Sequence, residues 1–370
     1  MMKKLGFGLM RLPIVGDDRT KIDLPRFEEM VDAFMAAGGT YFDTAYPYHG
    51  GCSEVAFREA VAKRYPRDAY TVTDKMPVWL MKENADMQPI FDEQLTRCGV
   101  EYFDYYWLHA LSASRVEQAE KVGAFRFLVD KKAEGKIKHI GFSFHDTPEV
   151  LEKILTDHPE MEYVQLQLNY MDWEEPSVQA RGCYEVATAH GKRVIVMEPV
   201  KGGTLATLPP EAAQLLKQQD PAKSVASWAI RYAASLDNVL TVLSGMSNME
   251  QMQDNLSYMM DFQPLNAAEQ EAIANVTQVI RSRIAVACTG CRYCVSENEC
   301  PRNILIPDLF EMYNHMKMYD KAPNKGQYAY LTKDHGKASD CIACGKCEKI
   351  CPQHLHIRDL LKDVAAAFEK

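Results

Sequence analysis

Eight of the eleven cysteines fall in two tight runs near the end of the chain, with the spacing of metal ligands. The first run is Cys288-x-x-Cys291-x-x-Cys294-x5-Cys300-Pro301 and the second is Cys341-x-x-Cys344-x-x-Cys347-x3-Cys351-Pro352. Three thiolates at two-residue gaps wrap one face of an iron–sulfur cubane, and the proline stops the chain and starts a turn. Paired four-cysteine zinc sites are the plain alternative, but in those a long spacer usually separates the two Cys-x-x-Cys pairs. The wider gap before Cys300 predicts a bulged loop. Cys52, Cys98 and Cys183 stand alone and read as small, buried or half-buried thiols. A second set of reactive residue types comes earlier, in Tyr41-Phe42-Asp43-Thr44-Ala45-Tyr46-Pro47-Tyr48, Val72-Thr73-Asp74-Lys75 and Asp104-Tyr105-Tyr106-Trp107-Leu108-His109. One Asp, one Tyr, one Lys and one His from these stretches could move a proton. A phenol with an ordinary pKa near ~10 is a poor acid, and an adjacent ammonium lowers that value. A carboxylate holds the lysine, and an imidazole orients a carbonyl oxygen. Such a group protonates an alkoxide as a hydride arrives, a contribution of typically about 10²- to 10⁴-fold. Singly, each residue has an ordinary explanation as a cap, a solvated lysine, a core tyrosine or a structural histidine. What favours chemistry is that all fall on successive strand ends.

Elements must hold these groups still. Short runs rich in Val, Ile, Tyr and Phe alternate with amphipathic helical stretches through most of the chain. Strands are expected over Leu5–Met10, Thr40–Thr44, Tyr70–Lys75, Asp104–His109, His139–Ser143, Tyr163–Asn169, Val194–Glu198 and Val239–Ser244. Helices are expected over Pro25–Ala37, Glu54–Lys63, Ala85–Arg97, Thr147–Thr156, Pro176–Ala189 and Lys223–Ala233. Strict alternation calls for parallel strands with right-handed crossovers. Eight such units close a (β/α)8 TIM barrel, whose chemistry sits where strands end and the following loops begin. An open doubly wound sheet would need a Gly-x-Gly-x-x-Gly turn opening a helix after the first strand. Gly6-Phe7-Gly8 is followed instead by Leu9-Met10-Arg11-Leu12, where no helix opens. Alternation stops beyond Asn255, and a helical stretch around Asn266–Ile280 leads into the first cysteine run. The expected domains are an α/β barrel over 1–262 and a small α-helical iron–sulfur domain over 263–370. Between the runs, Met312, Tyr313, Met316, Met318, Tyr319 and Tyr328 read as core, with a docking surface for a redox partner as the alternative.

In order along the chain, Gly6-Phe7-Gly8-Leu9-Met10-Arg11-Leu12-Pro13, Asp43-Thr44-Ala45-x-x-Tyr48, Lys75, Leu108-His109, Gly141-x-Ser143, Val164-Gln165 and the Gly245-to-Asn255 segment resemble the landmarks of the aldo-keto reductase family. The resemblance implies a barrel with a nicotinamide cofactor, NAD(H) or NADP(H), extended across its mouth. It implies a tetrad in which Tyr48 exchanges the proton, Lys75 and Asp43 tune it and His109 positions the carbonyl. Cofactor contacts are implied at Gly8, Met10, Arg11, Ser143, Gln165, Met197, Pro199, Ser244, Gly245, Ser247, Gln251 and Asn255. The family's usual Asn after the serine is Phe144 here, and Met197 stands where a tyrosine often stacks on the nicotinamide. Gly245 and Gln251 stand where many members place Lys or Arg against the 2′-phosphate of NADP, which tilts the expectation toward NAD. The cysteine runs resemble those of bacterial two-cluster ferredoxins, where the fourth cysteine of each run ligates the other cluster. By that likeness Cys288, Cys291, Cys294 and Cys351 hold one 4Fe–4S cluster, and Cys341, Cys344, Cys347 and Cys300 the other.

Composition narrows the partners. With 47% hydrophobic and 25% charged residues, no bilayer-spanning apolar stretch and no secretory leader pattern, the chain reads as soluble and cytoplasmic, with no membrane partner. A net charge of -9 without a basic cluster argues against nucleic acid. Hydride transfer moves two electrons and a cluster passes one, so direct hand-over needs a converter such as flavin. Three readings follow. The first is a nicotinamide-dependent reductase of a small carbonyl, or dehydrogenase of an alcohol, whose clusters face a ferredoxin-like partner or serve as structure. The second is a reductase whose clusters feed flavin or substrate in the barrel. The third is a non-catalytic electron carrier on a barrel scaffold.

Overall fold

The computed structural model describes residues 3–176, 178–288, 290, 292–296, 300–351 and 353–370, apart from the side chains of Tyr293 and Ser296. Eight short strands form: β1 (Leu5–Gly8), β2 (Tyr41–Asp43), β3 (Thr71–Met76), β4 (Phe103–Leu111), β5 (Ile137–Phe144), β6 (Tyr163–Gln167), β7 (Arg193–Met197) and β8 (Val239–Ser244). All pair in parallel and in chain order, and β1 closes on β8 through Leu5↔Val242, Gly6↔Leu243 and Phe7↔Ser244. The expected (β/α)8 barrel is therefore present. The expected strand ends shift by at most two residues, as at β1, where Leu9–Arg11 turns into a 3-10 helix.

Side chains alternate faces along a strand, and here the inner face is aromatic. Tyr41, Tyr105, Trp107, Ile195 and Leu243 fill the barrel, with Tyr163 against them. Gly141 makes room for that layer, because a Cβ there would lie 2.2 Å from the Tyr163 carbonyl oxygen and 2.8 Å from the Trp107 ring. The outer face packs on the helices. Phe7 meets Phe27 and Phe34 edge-on at 5.7 Å, both from the helix Leu24–Ala36, which Asp23 caps through the Arg26 amide.

The expected helix over Glu54–Lys63 is an α-helix, Ser53–Phe57, that widens into a π turn over Arg58–Ala62. The helix expected from Pro176 starts at Ala180, after Gln179 in the left-handed region (φ 50). Between β4 and β5 lie two helices, Ala113–Val122 and Ala124–Ala133, separated by Gly123 at φ 70. Two compact units emerge: one runs through Ala206 and resumes over Ala226–Ala267, and the other comprises Thr207–Val225 and Ala268–Lys370. The second unit has its own core, where Leu309, Phe310 and Tyr313 of the helix Ile306–Met318 join Ile357, Leu361 and Phe368 of the helix Ile357–Phe368. Met312, Tyr319 and Tyr328 are buried and Met316 partly so. Among the described residues no helix is long and apolar enough to cross a membrane.

Candidate active site and cysteine loops

Alternation sends Asp43, Lys75 and His109, at the ends of β2, β3 and β4, into the barrel mouth above the aromatic layer. Lys75 Nζ donates to Asp43 Oδ1 and to the Thr44 carbonyl, both at 2.6 Å, in a buried setting. Its backbone is fixed too, since its N–H donates to Asp74 Oδ1 at 2.8 Å and its carbonyl accepts from Gln94 Nε2 at 3.0 Å. Tyr48 begins the turn after β2, with its ring centroid 5.0 Å from Lys75 Nζ and 5.9 Å from the His109 ring. That turn is pinned by His49, which accepts the Leu12 amide proton on Nε2 at 3.1 Å and donates from Nδ1 to the Arg19 carbonyl at 2.7 Å. The four residues singled out in the sequence thus converge.

The electrostatics decide protonation. Burial works against charge on Lys75, but the Asp43 carboxylate, by its charge and its hydrogen bond, outweighs it and holds the ammonium above its ordinary value. Burial raises the Asp43 carboxyl while Lys75 opposes the rise, and the 2.6 Å contact keeps the pair ionised. For Tyr48 the expected lowering is corrected: burial pushes the phenol up, and Lys75 offsets only some of that. The phenol therefore stays protonated at neutral pH. Burial, then the Lys75 charge, push His109 well below the ordinary 6.5, so its imidazole is neutral. Behind β3, burial and the neighbouring Glu54 push Asp74 well above the usual carboxylate range. The shared proton rests on Asp74, because Glu54 pairs with Arg97 at 3.1 Å.

The cofactor candidates lie on the same strand ends. Ser143 and Gln165 are buried at the ends of β5 and β6. Ser143 Oγ accepts the Ala110 amide at 2.6 Å and keeps its own proton to donate, and Gln165 Oε1 is a buried acceptor with no partner among the described residues. An amide group fits that donor and acceptor pair. Met197 is half-buried at the end of β7 and Pro199 buried just beyond it. Gly8 backs onto the Ser244 carbonyl, where a Cβ would stand at 3.5 Å. Asn255 donates to Ser244 Oγ at 2.7 Å. Met10 and Arg11 are exposed on the turn after β1, with Arg11 pairing with Glu198 at 3.5 Å and its stem covering Gly245. Ser247 donates from Oγ to the Arg11 carbonyl at 2.7 Å, and its amide is taken up by Gln251 Oε1 at 2.8 Å.

Three further residues reach the mouth: Trp79, within the Met76–Met87 stretch whose sequence reads as a pocket wall, and Arg115 and His145, which the sequence left unmarked. Trp79 stacks obliquely on His109 at 5.1 Å, and Arg115 lies 4.8 Å over the Trp79 ring. His145 follows Ser143 on the same face. Its place two residues after an inward serine is the alternation signal that could have marked it, as could Arg115's position in the first turn after β4.

In the second unit, a cavity of about 370 Å³ is lined by Cys341, Cys344 and Cys347 together with Cys300 of the other run. A second cavity, of about 330 Å³, is lined by Cys288 and Cys294 together with Cys351. Cys291 and Pro352 lie outside the described residues, as does the 297–299 stretch on which the expected bulge falls. Soft thiolates gathered from both runs around each space suit iron–sulfur clusters. Cys98 and Cys183 are buried, and Cys52 half-buried.

Comparison with known proteins adds five matches. The sequence model of the aldo/keto reductase family matches residues 4–278, and that of the 4Fe-4S dicluster domain matches residues 287–355. L-galactose dehydrogenase of Arabidopsis thaliana is 26% identical over 265 residues, which span 66% of this chain and 80% of the relative. The holo form of an aldo-keto reductase from Bacillus halodurans superposes with a TM-score of 0.59 at 24% identity, over 74% of this chain and 91% of that one. An aldo-keto reductase from Klebsiella pneumoniae in complex with NADPH gives a TM-score of 0.59 at 19% identity, over 75% and 91%. The two superpositions speak to the fold. Flavin finds no support in these matches.

Proposed function

The chain belongs to the aldo/keto reductase family and continues into a 4Fe-4S dicluster domain, and from that premise we propose that it reduces a small carbonyl compound, or oxidises the matching alcohol, with a nicotinamide dinucleotide. The observation that carries this reading is the buried Lys75 ammonium, bonded to Asp43 and Thr44 and lying under the Tyr48 ring beside a neutral His109.

Tyr48 is the proton donor in reduction. Burial keeps its phenol protonated until an alkoxide forms beside it, and the Lys75 charge then stabilises the phenolate left behind. Asp43 keeps that lysine charged and in place. His109, uncharged, hydrogen-bonds the carbonyl oxygen and orients it between the two rings. A nicotinamide, when bound, would supply a hydride for the carbonyl carbon, while Tyr48 gives the proton to the oxygen. Ser143 and Gln165 would hold its carboxamide, Met197 would pack against its ring, and Gly8, Met10, Pro199, Ser244 and Asn255 would complete the bed. Around the adenosine end, Arg11, Gly245, Ser247 and Gln251 offer no unneutralised cation, since Arg11 faces Glu198. That balance favours NAD over NADP.

We assign one cluster to Cys288, Cys291, Cys294 and Cys351 and the other to Cys341, Cys344, Cys347 and Cys300, within a C-terminal domain of residues 263–370 that follows a catalytic domain of residues 1–262. Clusters held there supply single-electron steps. The partner they serve is a ferredoxin-like carrier, and the exposure of Cys344 and of Ile342 (55%) supports access to it.

The test is Tyr48→Phe. Carbonyl reduction is expected to fall at least about a hundredfold, with nicotinamide affinity and iron content unchanged. Undiminished turnover would overturn the role given to Tyr48.

A further inference from the structure

The mouth of the barrel carries a cation that the proton-transfer machinery does not use. Arg115 opens the helix after β4 and is half-buried. One guanidinium N–H donates to the Ala110 carbonyl at 2.8 Å, and its Cζ lies 4.8 Å from the centroid of the Trp79 ring. Among the described residues, no carboxylate forms an ion pair with it. Trp79 in turn contacts His109 at 5.1 Å, so the guanidinium stands one aromatic ring from the imidazole beside Tyr48. Its charge reaches both His109 and His145, helping to depress each imidazole. Glu198 acts the other way on His145 but is committed to Arg11 and the Gly202 amide. Asp146 is spent on the Ala113 and Thr147 amides, each at 2.8 Å.

The backbone is bent to keep Arg115 there. Ala110 sits in the left-handed region at φ 54, a conformation disfavoured for any residue with a Cβ. It is held at both ends, its N–H by Ser143 Oγ and its carbonyl by Arg115. Strain of this sort persists where the surroundings over-determine it, typically at functional sites. A half-buried guanidinium without a counter-ion among the described residues, packed against an indole at the mouth of a reductive site, has a planar anion as its natural complement.

Resting on the carbonyl-reductase reading, we infer that the preferred substrate carries a carboxylate one ring-width from its carbonyl, and that Arg115 binds it against Trp79. Arg115 and Trp79 are then the residues that set specificity, selecting carbonyl acids over neutral carbonyls.

Binding tests this without turnover. The full chain is titrated calorimetrically with 4-(hydroxymethyl)benzoate and with 4-(hydroxymethyl)benzamide, which present the same alcohol and differ in charge. The acid is expected to bind at least about tenfold more tightly, the equivalent of one charge-assisted contact. Arg115→Gln should bring the ratio to about one, whereas Arg115→Lys, which keeps the charge but loses the planar fork, should retain some of it. Equal binding by the unaltered chain, or a preference that survives in Arg115→Gln, overturns the inference. An Arg115→Lys variant with the full preference also counts against it, since a point charge would then suffice. Carbonyl reduction by Tyr48→Phe judges the underlying reading separately.

Discussion

At the scale of single residues, the site balances burial against one fixed charge. Lys75 meets Asp43, Tyr48 and His109 at once: its charge is balanced by the first, opposes the rise that burial gives the second and adds to the burial that keeps the third uncharged. Stability therefore depends on pH. The folded His109 value lies below its unfolded value of 6.5, so the unfolded chain binds more protons as the solution is acidified. Its contribution is complete above 6.5 and declines as pH falls below it, and His139 and His145, depressed likewise by burial, act in the same sense. Denaturant midpoints measured from pH 7 to about 5 should fall, and less steeply in His109→Asn. Identical slopes would mean that the imidazole is not buried uncharged. Lys75 and His109 were legible as reactive types on strand ends, and the family likeness picked Asp43 and Tyr48 from neighbours of the same type. Arg115 was legible only by its place in the first turn after β4, because a lone arginine there looks solvated until the fold lays it on Trp79. The sense of the Tyr48 shift was not legible, since the sequence shows the ammonium but not the depth of burial.

At the scale of elements, the inner layer controls the strand register. Gly141 admits Trp107 and lets the Tyr163 carbonyl approach, so Gly141→Ala has no room to relax. Overpacking of that kind costs about 2–3 kcal/mol, which should lower the thermal midpoint by roughly 5–10 °C. An unchanged midpoint would mean that β4, β5 and β6 do not meet in this register. All eight strands could be read from the sequence, because parallel strands buried on both faces are near-continuous apolar runs. The helices Ala113–Val122 and Ala124–Ala133 were not. The first buries only Ala119 and Val122 among its ten residues, too little for a periodic stripe. The π turn at Arg58–Ala62 leaves no mark either, since its side chains read as an ordinary helix.

At the scale of the whole molecule, two electron chemistries share one chain. Cysteine spacing alone announced the second, because thiolate geometry is written locally, whereas the assignment of Thr207–Val225 to the second unit depends on long-range packing that no local pattern carries. The central claim is that the barrel reduces its substrate by hydride from nicotinamide, and not by electrons passed from the clusters. The measurement is isotope tracing on the cluster-loaded chain, with nicotinamide deuterated at its hydride-bearing carbon in ordinary water and the product alcohol examined by mass spectrometry and NMR. Hydride transfer predicts one deuterium on the carbinol carbon per turnover from one face of the cofactor, with none entering there from heavy water when the unlabelled cofactor is used. A carbinol hydrogen drawn from solvent, with the cofactor's label lost to water, would contradict it and point to single-electron delivery through the clusters.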